Sequence, residues 1–218
     1  MNYFNKTSEK ELLELYQIAF TNTESNPVIL QKLERRYDSE QIAVGKNLLQ
    51  STTDLYNKSL AEKEKLAAAH AVFSEKRDKL EEIYKLHRKL TLLLLKGQKP
   101  EMDQLALSAA YPGKFMVWIP TVRKFYTGLS ENPELINKLS GYKITEEEIS
   151  EGLELVNEVA VAYALYTDLK GESQMTTELK NASFKELNQW MRNFYAIARI
   201  AFRDQPQQLE SFGIVVKG

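Results

Sequence analysis

The sequence predicts an all-α protein, a helical bundle built from a tandem duplication. Three observations predict it. The 218 residues hold only six prolines and nine glycines, and no stretch sustains the apolar–polar alternation of a half-buried strand. Helix caps recur along the chain. Their order also repeats: Asn26-Pro27 with Lys32-Leu33 returns as Asn132-Pro133 with Lys138-Leu139, an offset of 106. Asp38, Gln41, Ile42, Gly45 and Tyr56 return as Thr145, Glu148, Ile149, Gly152 and Tyr163 at 107, and Phe73, Tyr84 and Arg88 as Phe184, Tyr195 and Arg199 at 111.

Each element follows from its own residues. Ser8-x-x-Glu11 is a capping box ahead of Leu12, Leu13 and Leu15 and starts a helix over 8–22. Its counterpart, 114–128, carries Trp118, Ile119, Val122, Phe125 and Tyr126, with Pro120 placed to kink it or delay its start. Asn26 and Asn132 read as N-caps of short helices, each with proline at the first helical position, where a missing N–H costs nothing. Asp38 with Gln41 and Thr145 with Glu148 are further capping boxes. The run Glu146-Glu147-Glu148 reads as a solvated first turn favoured by the helix dipole.

Residues 39–96 contain one glycine, Gly45, and no proline. One continuous helix of that length would extend about 87 Å. The fading of apolar periodicity over Asn57–Lys65, the glycine at 171 in the second copy and the four-residue difference between copies favour a helical hairpin instead. Against the hairpin, 61–71 holds no turn residue, and four residues is close to one helical turn. Lys96-Gly97 closes this segment, Pro100 and Pro206 open short terminal helices, and the chain nears its end at Gly213-Ile214.

Pro112-Gly113 is a turn dipeptide and the natural seam, giving a first repeat of 1–111 and a second of 114–218. Each repeat leaves an apolar stripe that needs cover, so the two are expected to pack as one body about a pseudo-twofold axis. On the last long helix Leu187, Met191, Phe194, Ala198 and Ala201 share one face, with Ile197 beside it and Ile200 away from it. Apolar residues around most of that circumference predict a central helix, as do Leu90 and Leu92–Leu95 in the first copy.

The stretch Phe194-Tyr-Ala-Ile-Ala-Arg-Ile-Ala-Phe-Arg-Asp, closing with Pro206-Gln-Gln-Leu-x-x-Phe-Gly-Ile, resembles the signature of a group of bacterial two-repeat helical proteins, as do 132–135 and 144–148. The first copy departs from it, with Lys85-Leu-His-Arg-Lys-Leu where the second has Ala-Ile-Ala-Arg-Ile-Ala. The resemblance implies a fold and no activity or catalytic residue.

Composition narrows function mainly by exclusion. With 29 basic and 30 acidic residues the net charge is −1, so no bulk charge draws the chain to nucleic acid or to a membrane surface. No cysteine means no disulfide, thiolate metal site or cysteine nucleophile. The acidic N-terminus is no secretory leader, and the longest aliphatic run, Leu92–Leu95, falls far short of the ~20 residues of a spanning helix, which predicts a soluble cytoplasmic protein. Neither histidine has a glutamate three residues before it, so the di-iron pattern of helical bundles is missing and no metal or cofactor is implied. His70 is expected in solvent and His87 on a helix flank within the basic run 85–89. Phosphate-loop, dinucleotide and nucleophile-elbow motifs are absent.

The leading function is therefore a noncatalytic helical interaction or scaffold protein with a protein partner or a second copy of itself. A small-ligand, anion or enzyme site between the repeats comes second. Nucleic-acid binding is third, resting on Lys85, Arg88 and Lys89 and on Arg123-Lys124 before Phe125 and Tyr126; the acidic residues Glu75, Asp78, Glu81 and Glu82 argue against it as ion-pair partners. The candidate anion or partner contacts are the repeated pairs Tyr84–Arg88 and Tyr195–Arg199, four residues apart on one flank. The structural alternative makes each arginine a packed stem with its head on a glutamate. Tyr111, Trp118, Phe125 and Tyr126, near the seam, are the candidate partner surface; alternatively they fill the interface between copies.

Overall fold

The computed structural model describes residues 7–213, and every regular element among them is helical. Residues 1–6, part of the leader reading, and Ile214 of the expected Gly-Ile ending lie outside them. The helices are α1 (Glu9–Ser25), α2 (Pro27–Leu33), α3 (Ser39–Leu94), α4 (Lys99–Gln104), α5 (Phe115–Ser130), α6 (Pro133–Ser140) and α7 (Glu146–Ala201), followed by a 3₁₀ helix, Pro206–Phe212. Of the described residues, no helix is long and apolar enough to cross a membrane.

The predicted caps form. The Ser8 hydroxyl accepts from the Glu11 N–H, and the Glu11 carboxylate accepts from the Ser8 N–H at 2.7 Å. Asn26 Oδ1 accepts from the N–H groups of Val28 and Ile29, and Asn132 Oδ1 from that of Leu135 at 3.0 Å. Asp38 caps α3 through the Gln41 N–H at 2.8 Å, and Thr145 caps α7 through the Glu148 N–H at 3.4 Å. Neither expected box closes, since the Glu148 carboxylate turns to another partner and, among the described residues, no return bond from Gln41 forms. Pro120 does not delay α5, which begins five residues earlier at Phe115 and runs through it. The carbonyl that proline leaves without its helical N–H belongs to Met116, an exposed residue, where water can serve.

The hairpin expectation is corrected. α3 and α7 are each one continuous helix of 56 residues. Apolar periodicity fades in their middle because buried positions there are polar, not because the chain turns. Thr52, Ser59 and Glu62 on α3 and Ser173, Thr176 and Lys180 on α7 are all buried. Two of them bond across helices: the hydroxyls of Thr52 and Ser183 meet at 2.6 Å, and Lys180 Nζ donates to Glu9 Oε1 at 2.6 Å. With no glycine or proline over 57–65, nothing opposes the helix.

The chain forms two compact units, Met1–Lys63 with Glu172–Gly218 and Glu64–Gly171. Each draws on both halves of the chain, because α3 and α7 each contribute part of their length to either unit. In the first unit Tyr16 and Phe20 of α1, Ile29 and Leu33 of α2, and Ile42 and Leu49 of α3 pack with Leu187, Met191, Phe194 and Ala198 of α7 and with Phe212. The α7 face read from the sequence is thus the buried one, although Ala201 is only partly covered. Ile200 is 68% exposed, so α7 is not buried around its circumference. A Cβ on Gly45 would lie 2.5 Å from the Trp190 ring and 2.7 Å from that of Phe20; the missing side chain lets both rings sit on the α3 backbone.

In the second unit Phe73, Leu80 and Tyr84 of α3 pack with Trp118, Val122, Phe125, Tyr126 and Leu129 of α5. Leu135 and Leu139 of α6 and Ile149, Val156 and Val159 of α7 complete this core. Here a Cβ on Gly152 would come within 2.4 Å of the Tyr126 ring. Gly45 and Gly152 match at the offset of 107, and Phe20 and Tyr126 at 106, so the same ring-on-glycine contact occurs once in each unit.

Candidate functional site

On α3, positions 80, 84, 87 and 91 recur at helical spacing and all are buried, which puts His87 on the core face of the second unit. This corrects the expectation of a flank position: His87 is 2% exposed. Both ring nitrogens have partners. Nδ1 lies 3.1 Å from the Tyr126 hydroxyl of α5, and Nε2 lies 3.3 Å from Glu148 Oε2 at the start of α7. One turn on, the Thr91 hydroxyl donates to the His87 carbonyl at 2.8 Å. Glu148 is therefore more than a solvated first-turn acid, and its carboxylate turns to the imidazole.

The electrostatics select a protonation state. Burial pulls the His87 pKa below its ordinary value, with the Glu148 carboxylate opposing the shift. Burial also drives the Tyr126 phenol up, helped by the nearby Tyr84 hydroxyl and the Glu148 charge. A neutral imidazole has one N–H, and a carboxylate can only accept. The proton accordingly resides on Nε2, facing Glu148, while Nδ1 accepts from the Tyr126 O–H. Tyr126 is fully buried and His87 nearly so; only Glu148, about half exposed, reaches solvent. The chain of three can hold the helices in register, but it offers no substrate a route to its proton donors.

The repeated Tyr–Arg pairs fall in different units. In the second, an Arg88 Nη donates to the carbonyls of Ala109 at 3.1 Å and Leu107 at 3.4 Å, tying the stretch after α4 to α3. Its head thus rests on backbone carbonyls rather than on a glutamate. The Tyr84 hydroxyl is buried with no hydrogen-bond partner. In the first unit Tyr195 is buried and its hydroxyl donates to the Phe212 carbonyl at 3.3 Å, while Arg199 is exposed. Burial raises the pKa of both tyrosines, against the nearby arginine in each case.

The aromatic residues near the seam are mostly interior. Trp118, Phe125 and Tyr126 are buried in the second unit's core, and Tyr111 is partly covered, its hydroxyl accepting from the Trp118 ring N–H at 2.9 Å. Phe125 and Tyr126 are thus unable to stack bases beside Arg123 and Lys124, which donate instead to Asn157 at 2.6 Å and to the Asp103 carbonyl at 3.2 Å. His70 is exposed as expected, with its ring 5.0 Å from that of Tyr166. Among the described residues no three His, Asp or Glu side chains gather as a metal site.

No family model, curated protein or solved structure matches the chain. Function therefore has to be argued from the molecule's own surfaces. The His87–Tyr126–Glu148 contact escaped the sequence reading because the basic neighbours Lys85, Arg88 and Lys89 masked the core spacing of position 87. That spacing, with Leu80, Tyr84 and Thr91, was the available signal.

Proposed function

We propose that the protein is a noncatalytic helical interaction protein, built by tandem duplication with a pseudo-twofold relation between its copies. The duplication is supported by the equal lengths of α3 and α7, the paired Asn-Pro starts of α2 and α6, and the glycine–ring contact found in each unit. One observation carries the interaction reading. α7 presents apolar side chains to solvent at helical spacing: Val161 is 71% and Leu165 54% exposed in the second unit, and Met175 and Leu179 are exposed in the first. Each pair, four residues apart, forms a short apolar ridge on the helix, the kind of surface that packs against another helix. The buried polar groups, by contrast, are largely engaged within the chain. The partner is another protein, with a second copy the first to be tested.

Site-specific photo-crosslinking in cells tests the reading. A photoreactive phenylalanine at Val161 or at Met175 should give a discrete adduct that the same probe at exposed Lys170 does not. An adduct of twice the chain mass, with a dimer in sedimentation velocity, identifies a second copy. Crosslinking at 161 and 175 no different from that at 170 contradicts the proposal.

A further inference from the structure

Two cations face one aromatic ring near the C-terminal end of α3, with a third beside them. Lys85 Nζ and Arg88 Cζ each lie 5.9 Å from the centroid of the Tyr111 ring; with Lys89, Leu92 and Leu93 these residues line a groove of about 300 Å³. Glu81 balances one charge, holding Lys85 at 2.8 Å while also meeting Arg77 at 3.5 Å. Arg88 directs one nitrogen to backbone carbonyls, and among the described residues neither it nor Lys89 has a carboxylate at ion-pair distance. Two positive charges are left facing the groove. Leu93, 65% exposed, continues it as an apolar wall.

Beneath the groove lies a feature that packing alone does not explain. The Tyr84 hydroxyl is fully buried and has no hydrogen-bond partner. The Arg88 guanidinium lies near enough to favour its ionised form, but makes no well-formed hydrogen bond to it. A buried hydroxyl without a partner is destabilising, so its persistence needs a reason. The first unit shows the alternative, because Tyr195, the counterpart at offset 111, has the Phe212 carbonyl. The counterparts of Lys85, Lys89 and Leu93 there are Ala196, Ile200 and Asp204, so the cationic cluster has no equivalent in the first unit.

We propose that this groove binds a phosphate monoester carried on an apolar body. The two unbalanced charges match a phosphate dianion, the planar guanidinium of Arg88 suits phosphate oxygens, and Leu92 and Leu93 lie where the apolar part would run. The inference does not depend on the protein-partner reading, which concerns the exposed ridge of α7.

Calorimetry on the full chain with three probes decides it: short-chain dihexanoyl phosphatidate, inorganic phosphate and dihexanoyl phosphatidylcholine. Phosphatidate should bind saturably at one site, at least about tenfold tighter than inorganic phosphate, and the zwitterionic phosphatidylcholine should not bind. Lys89→Ala and Leu93→Ser, both at exposed positions, should each weaken phosphatidate by about fivefold or more with the unliganded melting temperature unchanged. Val161→Glu should leave this binding intact, which separates failure here from failure of the partner reading. No saturable phosphatidate binding, equal affinity for inorganic phosphate, or equal affinity in the two groove variants overturns the proposal.

Discussion

The two compact units solve the same packing problem with different chemistry. In the second, Tyr126, His87 and Glu148 meet where α5, α3 and α7 converge. The first unit carries Phe20, Ala198 and Gln41 at the positions matched by the offsets of 106, 111 and 107. There Phe20 and Ala198 are fully buried, with Phe20 packed among Trp190 and Phe194. The glycine under the ring is common to both. The helical framework thus accepts either an all-apolar centre or a polar one, provided that both imidazole nitrogens are satisfied. An apolar centre tolerates loss of one group through local repacking, whereas a polar centre depends on all three.

Grafting one solution onto the other should have the largest effect. Ala198→His would bury an imidazole in the first unit where the neighbours are apolar, and a loss of about 4 kcal/mol or more is expected in urea unfolding. His87→Ala leaves a cavity and strips the Tyr126 hydroxyl of its partner, for about 3 kcal/mol. The double variant His87→Ala with Tyr126→Phe copies the first unit and should lose less than the two single losses combined, since no orphaned hydroxyl remains. A strictly additive cycle would break the comparison.

The glycines sharpen it further. Gly152→Ala drives a methyl into the Tyr126 ring and should cost about 1–3 kcal/mol. Gly171 sits inside the same helix, α7, with nothing within 4 Å of an added Cβ, so Gly171→Ala should stabilise by about 0.5–1 kcal/mol. The smallest effect concerns acid. The folded pKa of His87 lies below the unfolded value near 6.5, so the unfolded chain binds the proton more readily. This contribution to stability is full above that pH and is lost as pH falls toward the folded pKa. Comparing urea midpoints of wild type and His87→Ala across that window should show a shallower acid loss in the variant.

Local chemistry made the helix starts legible: Ser8, Asn26, Asp38, Asn132 and Thr145 each cap a helix because their oxygens meet the N–H groups that a helix cannot satisfy itself. Tertiary context decided the remainder. The polar middles of α3 and α7 resembled a solvent turn because buried Thr52, Ser59 and Thr176 carry hydroxyls, and a sequence does not disclose that such residues are buried or that Thr52 meets Ser183 across helices. The same ambiguity hid His87 among lysines and sent Glu148 to the solvent in the sequence reading. Of the groove, the basic run Lys85, Arg88 and Lys89 and the repeated Tyr84 were legible in the sequence. Tyr111 joined them only once the chain after α4 folded back on α3 and brought its ring beside the cations.

The central claim is that a neutral His87 bridges Tyr126 and Glu148 inside the second unit. Imidazole ¹⁵N–¹H NMR, titrated through pH 5–8, measures it directly. A His87 ring protonated at Nε2 only, with a pKa below 6.5, is the predicted result. A freely exchanging pair of tautomers, or a pKa at or above 6.5, would contradict it.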